Sequence, residues 1–186
     1  LDDTQRVDRV LDQMIEIETL TPETRDRLQV RKALLMAGSD RSSEAMKLLD
    51  QWIDAGETSG RPGPWLWVAK GDLLQSEQDY VAAIEAYDHA IAAARSAPDL
   101  YVEAVSGKAD ALFANERPKE ALQTLDKFVD DAAMPEDLRA EVLLHKSILM
   151  RANGSQRTAR LTENRAVEMV TSPNLRAEIQ QVVTRM

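Results

Sequence analysis

An all-α fold, a solenoid of antiparallel helix pairs, is predicted by three observations. A 38-residue register recurs four times without a gap, apolar residues within each copy are spaced by three and four, and prolines stand at regular helix starts. The register is anchored by Ala45, Ala83, Ala121 and Ala159, each 38 residues from the next. Around them Lys32, Lys70, Lys108 and Lys146 share a column, followed by the small residues Ala33, Gly71, Ala109 and Ser147. Met36, Leu74, Leu112 and Met150 come three residues further on. Beyond the alanines stand Leu49, Tyr87, Leu125 and Glu163, then Asp50, Asp88, Asp126 and Asn164, then Trp52, Ala90, Phe128 and Ala166.

The elements follow in order. Residues 1–20 read as the second helix of a preceding repeat, because Val10 to Ile15 aligns one period before Leu48 to Ile53. Four repeats follow at 21–58, 59–96, 97–134 and 135–171, and 172–186 is a capping or fifth-repeat helix. Each repeat is two helices. Trp67, Gly71 and Leu74 form the stripe of the first helix in the second copy, and Ala83, Tyr87 and Ala90 that of its second helix. Pro22, Pro98, Pro135 and Pro173 each stand before an acid or amide, the pattern of a first helical turn. Gly38 to Ser42 and Asn153-Gly154-Ser155 mark tight turns inside hairpins, and Gly56 to Pro64 is expected to be a loop between hairpins. The fourth copy carries Arg160 and Glu163 where others are apolar, so its second helix is expected to shift register. A register that opens in mid-hairpin leads to the expectation that the full protein continues towards its N-terminus. The tally is about ten helices.

At Trp67, Gly71, Leu74, Tyr80, Ala83, Tyr87 and Ala90 the second copy resembles the tetratricopeptide repeat family. The period is longer than that family's norm of about 34, which a longer first helix would explain. The lysine column also departs from it, and its aliphatic stems are expected to cover the helix interface while the ammonium groups reach water. The resemblance implies a right-handed superhelix whose first helices line a concave, partner-binding groove. On that face fall Leu34, Trp65, Val68, Asp72, Gln75, Glu103, Ser106, Asp110, Phe113 and Glu141, with Arg27, Val30, Leu144, Ile148 and Arg151 beside them. The middle is acidic with apolar patches. Either it is a merely solvated surface, or it accepts a peptide or protein carrying basic residues beside an apolar anchor. Trp65 is either a ligand anchor or packs on the Gly56 to Pro64 loop. Members that clamp a terminal carboxylate carry asparagine where this chain has Asp72 and Asp110, so that clamp is not expected.

Composition narrows the function classes. A net charge of -9 repels phosphate backbones and anionic lipids, and the basic residues are interspersed with acids, so neither nucleic acid nor membrane insertion is expected. With no cysteine, thiolate metal sites, disulfides and cysteine nucleophiles are excluded, and the compartment stays undetermined. The two histidines, His89 and His145, lie on different repeats without ligand spacing, and no phosphate-binding glycine loop or nucleophile elbow is present. The reading is a non-enzymatic protein-binding scaffold without cofactor or metal. Self-assembly into homo-oligomers through open solenoid ends, or a regulatory arm of an enzyme outside this chain, stand as alternatives.

Overall fold

The computed structural model describes residues 3–58 and 63–185, and they form ten α-helices. The chain divides into two compact units, Leu1–Ala94 and Arg95–Met186. The first holds α1 (Asp3–Ile15), α2 (Pro22–Ala37), α3 (Ser42–Thr58), α4 (Pro64–Ser76) and α5 (Tyr80–Ala93). The second holds α6 (Pro98–Ala114), α7 (Pro118–Val129), α8 (Glu136–Ala152), α9 (Gln156–Met169) and α10 (Pro173–Arg185). Both use one plan. Hairpins α2–α3 and α4–α5 stack in the first unit, with α2 beside α4 and α1 against α2. Hairpins α6–α7 and α8–α9 stack in the second, with α6 beside α8 and α10 on α9.

Local chemistry explains where these helices begin. Pro22, Pro64, Pro98, Pro118 and Pro173 each open a helix, where the lost N–H would have had no helical partner. The Thr21 hydroxyl accepts from the Thr24 amide at 3.2 Å, and the Asp79 carboxylate accepts from the Ala82 amide at 3.2 Å, capping α2 and α5.

All four hairpin turns are the same device. Asp40, Gln78, Glu116 and Gly154 have φ of 59°, 64°, 59° and 78°, and they stand 38 residues apart. The residue after each donates its amide back to the column of Met36, Leu74, Leu112 and Met150, at 3.0, 2.9, 2.9 and 2.8 Å. This is the Schellman closure of a helix end, which needs one left-handed residue. Only the last copy supplies glycine. In the first copy Gly38 is right-handed and Asp40 takes the strained position, a difference that composition alone hides.

The alanine column is the hairpin core. Ala45, Ala83, Ala121 and Ala159 are each 0% exposed, so the two helices approach closely there. Tyr87 is buried at the next position, and a Cβ on Gly71 would lie 2.7 to 2.9 Å from its ring. The second copy alone pairs glycine with tyrosine; the first and third pair Ala33 with Leu49 and Ala109 with Leu125. The small residue is therefore matched to the width of the side chain opposite it.

Two expectations are corrected here. The fourth copy keeps its register: Ala159, Glu163 and Ala166 are all buried on α9. Glu163 is accommodated because Arg151 of α8 meets it fork to fork, Nε and Nη2 donating at 2.8 and 2.9 Å. The pairing neutralises a carboxylate that burial would otherwise penalise heavily. The loop expected from Gly56 to Pro64 begins later, since α3 continues through Gly56 to Thr58; residues 59–62 of that stretch lie outside the described residues.

Candidate functional site

Three of the four lysines of the column give their ammonium groups to carboxylates instead of to water alone. Lys32 donates to Asp12, Lys70 to Asp50 at 2.6 Å, and Lys146 to Asp126. Every pair spans 20 residues and joins the second helix of one hairpin to the first helix of the next: α1 to α2, α3 to α4, α7 to α8. Burial is the reason. The side chains of Lys32 and Lys146 are nearly covered, and an enclosed ammonium needs a counter-charge. The participants stand in two sequence columns that keep a constant offset, but the columns do not by themselves show that they meet. Asp88 and Lys108 preserve that offset as well.

On α2 and α4, the face expected to receive a partner has a specific chemistry. Leu34 is 48% exposed, an aliphatic side chain presented to solvent. Trp65 is half-buried, and the Arg27 guanidinium lies 4.7 Å from its ring centroid, a cation–π contact across the two helices. Arg27 also meets Glu23 at 3.0 Å. One residue before Arg27, the Asp26 carboxylate is pressed against Gly63 at the start of α4, and burial pushes its pKa up to about 6. Asp72 is not simply a free groove acid: the Tyr87 hydroxyl donates to it at 2.6 Å and reaches Gln75 Oε1 at 3.3 Å. Burial raises the Asp72 pKa, while the tyrosine hydrogen bond opposes the rise. Val68 is corrected from groove to core at 3% exposure. Helix α4 is enclosed by α2, α3 and α5, so the run Leu66, Trp67, Val68 and Ala69 is buried on every side.

On α6 and α8 the corresponding face is more acidic. Glu103 and Glu141 are exposed, and Ser106, Asp110 and Phe113 are half-buried. Burial, then the negative charges of Asp99 and Asp137, raise the pKa of Glu141. Asp110 is held by His145 of α8, with Nε2 2.9 Å from Oδ1. Ile148, 41% exposed, stands in the column of Leu34, Asp72 and Asp110. That column thus reads apolar, acid, acid, apolar along the chain.

Neither histidine is poised at a metal site. His89 stacks on Trp67 with centroids 4.2 Å apart, and His145 is bonded to Asp110. Among the described residues no group of three or more His, Asp or Glu could hold a metal ion, and no helix is long and apolar enough to cross a membrane.

With this geometry established, solved structures show what the chain resembles. A Podosopora anserina protein of nearly identical TPR-like repeats superposes with a TM-score of 0.67 at 20% sequence identity. The match covers 89% of this chain and 86% of that one. A point variant of that protein gives 0.68 at 19% identity with the same coverage. The fold is therefore the TPR-like helical repeat. No protein-family model matches the sequence, and no curated protein matches it.

Proposed function

We propose that this chain is a protein-interaction scaffold that catalyses nothing itself and binds a peptide or protein through the first-helix faces of its two units. The TPR-like fold supports a protein-binding role in general. The observation that carries the finer reading is the mixture in the second unit, where exposed Ile148 shares α8 with exposed Glu141 and exposed Glu103 stands on α6; in the first unit Leu34 and half-buried Trp65 offer apolar surface. Burying such aliphatic groups against a partner is favourable at roughly 25 cal/mol per Å². Carboxylates around them favour a ligand with lysine or arginine next to an apolar anchor. Asp72 and Asp110, already engaged by Tyr87 and His145, shape the face more than they recruit the ligand.

A random peptide library selected on the full chain tests this. The selected peptides should be enriched in basic residues beside leucine, isoleucine or an aromatic residue. Ile148→Asp and Glu141→Lys, both on α8, should each weaken them at least about tenfold, or ~1.4 kcal/mol. Enrichment without basic residues, or binding untouched by both substitutions, would sink the reading.

A further inference from the structure

The outer sides of α7 and α9 are basic in a chain of net charge -9. Both helices pack on α8, and the buried alanines Ala121 and Ala159 bring matching columns to matching sides. Away from those alanines stand Lys119 and Lys127 of α7 and, 38 residues on, Arg157 and Arg165 of α9, all exposed. Arg160 adds a fifth cation, and Leu161, 61% exposed, lies midway between Arg157 and Arg165. Among the described residues none of these five cations forms an ion pair. The acids interspersed with them are taken by other bases: Glu120 by Arg117 at 2.7 Å, Asp126 by Lys146 and Glu163 by Arg151. Glu168 in the last turn of α9 and Asp130 just after α7 remain. Fold stability does not account for the pattern, because Lys119 and Arg157 stand in the first turns of their helices, where a positive charge opposes the helix dipole. The same columns in the first unit hold Ser43, Gln51, Val81 and His89, also exposed and without lysine or arginine. Exposure belongs to this side of the helix: on α7 it persists with the following hairpin, α8–α9, packed alongside.

We infer that this face binds an acidic segment of a partner protein, one in which an apolar residue stands between carboxylates. The spacing sets the pattern. Arg157 and Arg165 are eight residues apart, about 12 Å along the helix, with Leu161 at the midpoint. An extended segment covers that distance in about four residues, and its alternate side chains share one face. The sequence acid–x–apolar–x–acid therefore sets both carboxylates on the arginines and the apolar side chain on Leu161, while Lys119 and Lys127 take acids further out. A nucleic acid or an anionic membrane is the poorer occupant. Either extends past the patch, where the net charge of -9 repels it, whereas a short segment ends within it. A phosphate backbone also leaves Leu161 without an apolar contact. This surface is on the second helices of the hairpins, apart from the one proposed above, and the inference does not rest on that reading.

The test uses the full chain and, as probe, a labelled peptide whose centre is Glu-Ser-Leu-Ser-Glu within a Gly-Ser frame. Saturable binding is expected, weakening as ionic strength rises. The double change Arg157→Glu with Arg165→Glu, at exposed positions without ion-pair partners, should weaken it at least about tenfold with the melting curve unchanged. Leu161→Ser should weaken this peptide yet leave unchanged the binding of one carrying glycine in place of its leucine, a difference that loss of fold cannot produce. Lys47→Glu, at an exposed cation of the first unit, should change nothing. Absence of saturation up to about 1 mM peptide, or equal binding by the double variant, overturns the inference. Tighter binding of duplex DNA or of phosphatidylserine vesicles through the same two arginines overturns it too. Dimerisation in sedimentation that the double variant abolishes also overturns it, by making the occupant a second copy.

Discussion

Replacing Gly71 by alanine should have opposite effects on stability depending on what stands at position 87. In the wild-type chain the new methyl would meet the Tyr87 ring at 2.7 to 2.9 Å. That ring is buried and tied through its hydroxyl to Asp72, so it cannot swing aside freely. Overpacking of this kind costs about 1 to 3 kcal/mol. Against it, alanine gains about 1 kcal/mol over glycine inside a helix. The sum is a destabilisation of about 0 to 2 kcal/mol. With Tyr87→Leu in place, the chain has the alanine–leucine pairing of its first and third copies, the clash is gone, and Gly71→Ala should stabilise by about 1 kcal/mol. The double-mutant cycle should therefore show a coupling of about 1 to 3 kcal/mol. Urea unfolding followed by tryptophan fluorescence and by circular dichroism measures it, provided the two signals coincide. A gain of the same size in both backgrounds would refute the idea that Tyr87 dictates glycine at position 71.

Three further predictions follow the same logic. Gln78→Gly and Glu116→Gly, at left-handed turn positions, should each stabilise by up to about 1 kcal/mol in urea melts, because glycine adopts that conformation without a Cβ penalty; a loss of stability would show that the side chains matter more than the strain. Arg151→Ala should cost about 3 to 5 kcal/mol by stranding the buried Glu163, whereas the double change Arg151→Phe with Glu163→Leu, which copies the pairing of Phe113 and Leu125, should be near neutral by thermal melting. Asp26 holds its proton in the folded chain up to a pKa of about 6, against 3.8 for the free side chain, so the folded state binds more protons between those values and stability falls as pH rises through them. Asp26→Asn should remove that slope, gaining on the wild type by about 1 to 2 kcal/mol between pH 4 and pH 7 once solvent screening of a half-exposed carboxylate is discounted. A gap independent of pH would show that Asp26 is not the titrating group.

The candidate site was less legible than the fold. Leu34, Trp65, Glu103 and Glu141 lie where helical spacing puts them, because the direction a side chain takes from its own helix depends only on residue number. Val68 shares that direction yet is buried, since accessibility depends on which other helices approach, and α4 is enclosed by three. The donors to Asp72 and Asp110 come from 15 and 35 residues away, beyond any pattern within one helix.

What the sequence by itself determined is the periodic part: a run of about ten helices, the alanine contacts, and the helix starts at Pro22, Pro98 and Pro173. Each repeats at one interval and follows from local geometry and apolar spacing. The tertiary structure alone decided the pairings: lysine with the acid 20 residues earlier, Arg151 with Glu163, Gly71 with Tyr87, and the left-handed turn residue in the first copy. Those are relations between helices, set by how closely two backbones approach and by the cost of leaving a charge uncompensated inside the contact. A column of residues names the participants; only the packing shows which of them meet.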